Sequence, residues 1–245
     1  TNQEGRFYFD VPLKDQFTGT ARKQGDATVS LQAKVADTAG HTQKATTDLT
    51  VTTRPIRVAV LPESGRLVRG VENILYILTS YPDGRPARTK LTVGAERKTV
   101  ETSPAGLANV TITPRNSHLQ LTIEAEDRQG RRVQVNRPLQ VDNQVHAFLL
   151  RTDEAVYRAG ETAHLTVLSG DRRARVFLDV VKNRQTMLSR SLDVRDGRGR
   201  MALDLPPDLC GTLEMNAYRI LPDGNIVSDS RVVQVNRPDQ LSIRA

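Results

Sequence analysis

Tryptophan is absent from the 245 residues, and aromatic side chains make up only 4% of them. Any core must therefore be filled by Val, Leu, Ile and Ala. A single cysteine, Cys210, excludes an internal disulfide and any zinc site built on cysteines. Between Leu209 and Gly211 it reads as a small, partly buried apolar residue, not a reactive thiol. No stretch approaches the roughly 18 apolar residues of a membrane helix. The opening Thr1-Asn2-Gln3-Glu4 carries no methionine, basic region or apolar run, so no signal peptide is visible, and a mature chain or an excised piece fits it. Catalytic and nucleotide signatures are missing too: there is no G-x-S-x-G, H-E-x-x-H, G-x-x-x-x-G-K-[ST] or EF-hand loop.

What is present is charge, and it is dispersed. With 35 basic and 28 acidic residues the net charge is +7. The densest basic runs, Arg172-Arg173-Ala174-Arg175 and Arg131-Arg132, sit beside turn signals and lack the interleaved aromatics of a stacking nucleic-acid site. They read as solvated loop charge, and no nucleic-acid partner is expected.

The dominant hydropathy period is two. Val29, Leu31, Ala33 and Val35 alternate with polar or small neighbours, as do Ile56, Val58 and Val60, then Leu119, Leu121, Ile123 and Ala125, then Met201, Leu203 and Leu205. This is the pattern of half-buried antiparallel strands. Turn signals punctuate it at Pro82-Asp83-Gly84, Arg128-Gln129-Gly130, Asp196-Gly197 and Pro222-Asp223-Gly224. No convincing helix is visible, and the expected class is all-β, built of β-sandwiches.

The chain also repeats. Gly70 before Leu75-Tyr76-Ile77-Leu78 matches Gly160 before Leu165-Thr166-Val167-Leu168; Gly106 matches Gly199, each followed by alternating apolar residues; and Gly130 matches Gly224. Two copies of one seven-stranded unit are expected, at 54–143 and 144–238. Residues 1–53 match only the end of that unit: Gly5 to Pro12 resembles the strand after Gly106, a polar loop runs from Lys14 to Asp26, and Asp37-Thr38-Ala39-Gly40 matches the turn at Asp127 to Gly130. A partial sandwich with one apolar face open is the expectation there, the least stable part unless a neighbour covers it. Residues 239–245, with Leu241-Ser242-Ile243-Arg244-Ala245 alternating, read as the start of a further domain. The junctions at Thr53-Arg54-Pro55, Asp142-Asn143-Gln144 and Asn236-Arg237-Pro238 are too short for flexible tethers. The pentapeptide Gln134 to Pro138, recurring at Gln234 to Pro238, is read as coincidence.

Candidate chemistry is sparse. His41, His118, His146 and His164 are scattered; only His146 and His164 could meet across strands, without carboxylate support for a metal. Asp37, Asp127, Asp196 and Asp223 occupy turns, where a carboxylate caps backbone N–H groups. Calcium at the junctions would have only Asp142 and Asn143, or Asn236 and Asp239, too few oxygens. Asn109-Val110-Thr111 is a glycosylation sequon inside an expected strand and reads as chance. Catalytic, cofactor-binding and metal residues are therefore all expected to be none.

Two segments of the last unit carry a family resemblance. Tyr157-Arg158-Ala159-Gly160-Glu161-Thr162 resembles the opening of domains in the alpha-2-macroglobulin proteins, which usually read Tyr-x-Pro-Gly-Glu; Ala159 stands where Pro is common. Ala217 to Ser230, a Tyr-bearing strand, a Pro-x-Gly turn and Asp229-Ser230, is similar to the hairpin that closes the family's domain before its bait region, and Thr79 to Pro86 looks like another such hairpin. The resemblance spans nearly the whole chain. It implies tandem macroglobulin domains of fibronectin-III-like, Ig-like character: the third (in part), fourth and fifth of a protease trap of bacterial type, exported to the periplasm, envelope or outside. It implies a non-catalytic scaffold without cofactors, whose partners are other domains of the parent and, through a bait region, target proteases; no membrane insertion is implied. The thioester motif Cys-Gly-Glu-Gln is absent, since Cys210 precedes Gly211-Thr212-Leu213, and no bait-like segment is seen. Tyr157, Gly160, Tyr218 and Gly224 are expected to be structural: a core-edge tyrosine and turn glycines. The alternative is a cell-surface stalk of Ig-like repeats, an adhesin; a carbohydrate-binding sandwich would need more exposed aromatics.

Overall fold

A computed structural model describes residues 6, 8–10, 26–37 and 39–237. Eighteen strands in chain order account for nearly all of its regular structure. A first pair, β1 (Ala27–Ala36) and β2 (Thr42–Val51), forms an antiparallel hairpin that makes no ladder with any other described strand. The next set is β3 (Arg57–Pro62), β4 (Leu67–Val68), β5 (Asn73–Ser80), β6 (Thr89–Val93), β7 (Lys98–Glu101), β8 (Leu107–Ile112), β9 (His118–Asp127) and β10 (Arg132–Asp142). The last set is β11 (Phe148–Thr152), β12 (Val156–Arg158), β13 (Thr162–Ser169), β14 (Arg173–Lys182), β15 (Gln185–Arg195), β16 (Arg198–Asp204), β17 (Gly211–Ile220) and β18 (Ile226–Asn236). A 3-10 turn at Pro207–Leu209 is the only helical element among the described residues.

The fold is all-β, a series of sandwiches. Strands β3, β5 and β8 face the sheet β4-β10-β9-β6-β7 across a core of Val, Leu and Ile, with Leu75, Ile77, Leu91 and Ile123 fully buried. The last set curls into one continuous sheet, closed at a corner where β15 and β16 share only the pair Arg195 and Arg198, around Phe148, Leu165, Leu178 and Met215. The alternation read from the sequence is real in both: Leu121, Ile123 and Ala125 are buried, as are Leu203 and Leu205. No strand runs through Pro55 or Asn143. Each sandwich has the seven long antiparallel strands and adds a short one that the sequence did not announce. β4 lies parallel to β10 through Leu67 and Val141, and β12 parallel to β18 through Tyr157 and Val235. A two- or three-residue strand carries too little periodicity to be read.

Four hairpin turns share one geometry. At Asp37–His41, Tyr81–Arg85, Asp127–Arg131 and Leu221–Asn225, the first residue's N–H donates to the fifth's carbonyl, and the fourth, a glycine, donates back to the first. Those glycines have φ of 76° to 87°, which is why the position is glycine. Asp37, Asp83, Asp127 and Asp223 each accept a backbone N–H within their turn. Asp196 departs from the expectation. It takes φ 49° beside Gly197 at 79°, the two-residue loop of a primed turn, and its carboxylate bonds Arg172 instead of a backbone N–H.

The repeat also needs one correction. The structural counterpart of Gly106 is Gly197, not Gly199: Thr79 N–H donates to the Gly106 carbonyl at 2.8 Å, as Ser169 N–H does to that of Gly197 at 2.9 Å. Gly199 has an ordinary φ and packs on Leu192. Gly70 and Gly160 do correspond, donating to Pro114 and Leu205 respectively. The recurring pentapeptide falls at different places, its first copy in the middle of β10 and its second at the end of β18, with Pro238 outside the described residues. In the first part, the described residues Arg6 and Tyr8–Asp10 are not in a strand, and Tyr8 and Phe9 are exposed. The rest of the expected strand Gly5 to Pro12, the loop from Lys14, and the expected strand Leu241 to Ala245 lie outside the described residues.

Candidate functional site: a sealed junction between sandwiches

The residues singled out from the sequence do not converge. His146 and His164 lie beyond opposite ends of the β11–β13 ladder. His146, in the connector before β11, pairs with Asp171 at 2.7 Å, while the His164 backbone N–H donates to Asp153. No three of His, Cys, Asp and Glu gather among the described residues. Cys210 ends the 3-10 turn, partly buried. Tyr157 is buried, its hydroxyl donating to Asp153 at 2.6 Å, and burial first, then that bond, pushes its pKa up to about 12. Tyr218 stacks on Phe177 with ring centroids 5.5 Å apart, and Gly160 and Gly224 have φ of 91° and 82°. Asn109 is an exposed residue in mid-strand. The basic runs are partly neutralised: Arg131 with Asp127, Arg132 with Glu126, Arg172 with Asp196 and Arg175 with Asp193.

The most heavily built polar cluster lies between the sandwiches. The turn after β3 carries Glu63, Ser64 and Arg66 to the first and last strands of the next sandwich. Arg151 on β11 makes two hydrogen bonds to Glu63, at 2.7 and 2.8 Å, and a third to the Glu72 carbonyl. Hydrogen bonding to Glu63 holds the Arg151 pKa above its usual value. Glu63, with its side chain 6% exposed, also accepts the Ile74 N–H. Asp229 on β18 is the second node. One oxygen accepts from Ser64 Oγ at 2.6 Å, Arg231 and its neighbour's N–H, and the other accepts the Leu150 N–H at 2.8 Å. Leu150 lies on edge strand β11, so this N–H would otherwise have no partner. Arg66 donates to the Ser228 carbonyl and lies 3.3 Å from the buried Asp142 Oδ2, which has no hydrogen bond of its own among the described residues. Beside these charges sits a small apolar core, in which Val68 and Val71 of one sandwich bury Leu149 and Leu168 of the next.

A third ion cluster stiffens the connector. Asp171 accepts from Arg219 at 2.6 Å and pairs with His146 Nδ1 at 2.7 Å, and Arg219 also donates to the His146 carbonyl. Burial pushes the Asp171 carboxyl up, but the hydrogen bonds from Arg219 and His146 outweigh it and leave the pKa below the ordinary 3.8. A folded value below the unfolded one stabilises fully above about pH 4 and is lost as pH falls through the lowered value. The urea midpoint should therefore drop on acidification below pH 4, and Asp171→Asn should flatten that drop; an unaltered acid slope in the variant would remove Asp171 from the account.

No family model matches the chain, and no curated protein matches its sequence. Solved structures do. Escherichia coli alpha-2-macroglobulin activated by porcine elastase aligns over 88% of this chain at 12% identity and a TM-score of 0.31, and the native conformation of the same protein over 89% at 12% and 0.32. The chain spans only 26% and 17% of those two chains. Fibronectin(III)-like modules of Clostridium thermocellum CbhA align over 76% of this chain and 99% of theirs, at 15% identity and a TM-score of 0.28. Overlays this loose decide nothing about function.

Proposed function

We propose that the chain is a non-catalytic scaffold section of a macroglobulin-type protease trap in an exported protein. Its job is mechanical: to hold consecutive sandwiches at a fixed angle, so that a displacement at one end is transmitted to the other. The observation that carries this is the sealed junction, where Glu63, Arg151, Ser64 and Asp229 bond across two sandwiches over an apolar core. A five-residue connector between Asp142 and Phe148 alone would allow hinging; buried charge pairs with several partners each do not, because breaking them strands a charge away from water. The macroglobulin-like segments Tyr157 to Thr162 and Ala217 to Ser230 support the family, and the second of them contains Asp229 itself. In this reading the partners are other domains of the parent, and proteases meet the parent's bait region and not these residues.

The test has two parts. Incubated at equimolar ratio with several unrelated endopeptidases, the chain should leave their activity unchanged; stoichiometric inhibition would overturn the scaffold role. The coding sequence after Ala245 should encode a Cys-Gly-Glu-Gln thioester within a helical domain; a long run of further near-identical sandwiches there would mark a surface stalk instead.

A further inference from the structure

The outer face of β3-β5-β8 has an apolar centre, five apolar side chains with Asn109 at one corner and polar residues such as Arg57, Ser80 and Thr111 around it. Across the three strands Ala59 pairs with Leu78 and Leu78 with Leu107; in the next row Leu61 pairs with Tyr76 and Tyr76 with Asn109. The intervening Val58, Leu75, Ile77 and Ala108 fill the core, so these six side chains point outward. Leu61, Tyr76, Leu78 and Leu107 are 37% to 56% exposed. Contiguous apolar faces of this kind mark contact surfaces.

The same grid in the last sandwich, 90 residues on through β11 and β13, reads Leu149, Leu168 and Arg198, then Arg151, Thr166 and Arg200. There it is covered. Leu149 and Leu168 are 0% and 5% exposed because Val68 and Val71 lie on them, and Arg151 is held by Glu63. Ala59 and Leu78 hold the positions of Leu149 and Leu168. The connectors match as well: five residues separate Val51 from Arg57, as five separate Asp142 from Phe148. The β1–β2 hairpin, turning at Asp37–His41, corresponds to β9–β10, turning at Asp127–Arg131.

We propose that this face docks another sandwich unit, the one that the β1–β2 hairpin closes, through a corner equivalent to Val68 and Val71. Its chemistry follows from the grid. Leu61 stands where Arg151 stands, so the docked unit carries apolar residues in place of Glu63 and Glu72. A second copy of this chain does not fit. In its last sandwich the positions of Val68 and Val71 are Arg158 and Glu161, both too polar for the Leu78 face. The docking follows from the repeat and holds whether or not the parent is a protease trap.

Thiol labelling tests it. In a Cys210→Ser background, Leu78→Cys should label rapidly in this chain, which should sediment as a monomer. In a chimera whose residues 1–51 are replaced by a second copy of 54–142 carrying Glu63→Leu and Glu72→Leu, labelling should slow by about tenfold or more. Ile226→Cys, on the far hairpin, should label equally in both. Equal rates at position 78 would overturn the proposal, and so would protection of that position in a dimer of the unaltered chain. Leu78→Glu gives a reading independent of the chimera. In this chain, where strand neighbours already cover more than half of Leu78, it should lower the melting temperature by about 4 °C at most. A larger fall would show the face already covered by the chain's own residues and overturn the assignment.

Discussion

Asp229→Ala should cost about 3–5 kcal/mol, the usual range for removing one partner of a buried charge pair. The carboxylate serves four donors on three segments: Ser64 of one sandwich, the Leu150 N–H of the next sandwich's first strand, and Ser230 N–H and Arg231 on its own strand. Alanine leaves the Leu150 N–H on an uncovered edge and Arg231, with its side chain only 15% exposed, without its counter-charge. Arg231 Nη2 already lacks a hydrogen bond among the described residues, so little spare capacity exists to absorb the change. Because the lost bonds cross from one sandwich to the other, the loss should also appear as decoupling. Calorimetry should show a single melting transition divide into two, and small-angle scattering should show a larger maximum dimension. Asp229→Asn keeps the shape but turns one accepting oxygen into a donor, facing either the Leu150 N–H or the Ser64 and Arg231 side; it should move both readouts in the same direction. An Asp229→Ala protein with unchanged melting and scattering would mean that the junction is held by Arg151 and the apolar contact alone.

How much of this junction could be read in advance depends on which residues carry it. Strand alternation is local, so Leu119 to Ala125 and Met201 to Leu205 could be placed from sequence, and so could the turns at Asp127–Arg131 and Leu221–Asn225, whose glycine and aspartate spacing is a physical requirement. Asp229 and Ser230 drew attention only as markers of a hairpin. Yet the alternation of β18 held the further signal. Val227, Val233 and Val235 face inward, and on that same parity stand Asp229 and Arg231, two charges where the pattern demands apolar side chains. In the preceding sandwich the counterpart of Asp229 is Val135, whereas that of Arg231 is again an arginine, Arg137. A charge in an inward register must find a partner, and here the partner lies 165 positions away in sequence. Glu63 and Arg151 had no such mark: both lie on outward-facing positions, where a charge is unremarkable, and only the packing of two sandwiches makes them half-buried or better. Pairing across 88 residues is invisible to any periodicity.

Gly106→Ala should be the most damaging of the single-methyl substitutions, and it separates the correct repeat alignment from the one the sequence suggested. Gly106 has φ 73°, a region that costs an L-residue about 1–2 kcal/mol. An added Cβ would also press into the Thr79 carbonyl oxygen, backbone that cannot rotate away, with Ala87 N at 3.3 Å on another side. Thr79 is itself fixed: its N–H donates to Gly106, and its hydroxyl joins the buried Thr89 and Thr102 cluster. Relief therefore requires β5 and β8 to part, and the total cost should be about 3 kcal/mol or more. Gly197→Ala meets the same geometry in milder form, with φ 79° and the Ser169 carbonyl 2.9 Å from the new Cβ, so its loss should be smaller but clear. Gly199→Ala needs no unusual φ; its nearest obstacle is the Leu192 side chain, and the closest backbone atom, the Asp193 carbonyl oxygen, stands 3.1 Å from the new Cβ, farther than in the other two. Urea unfolding of the three variants should rank them Gly106, then Gly197, then Gly199. If Gly199→Ala cost more than Gly197→Ala, the 90-residue correspondence between the sandwiches would be misaligned at this strand, and the matching of Leu107 to Arg198 would fall with it.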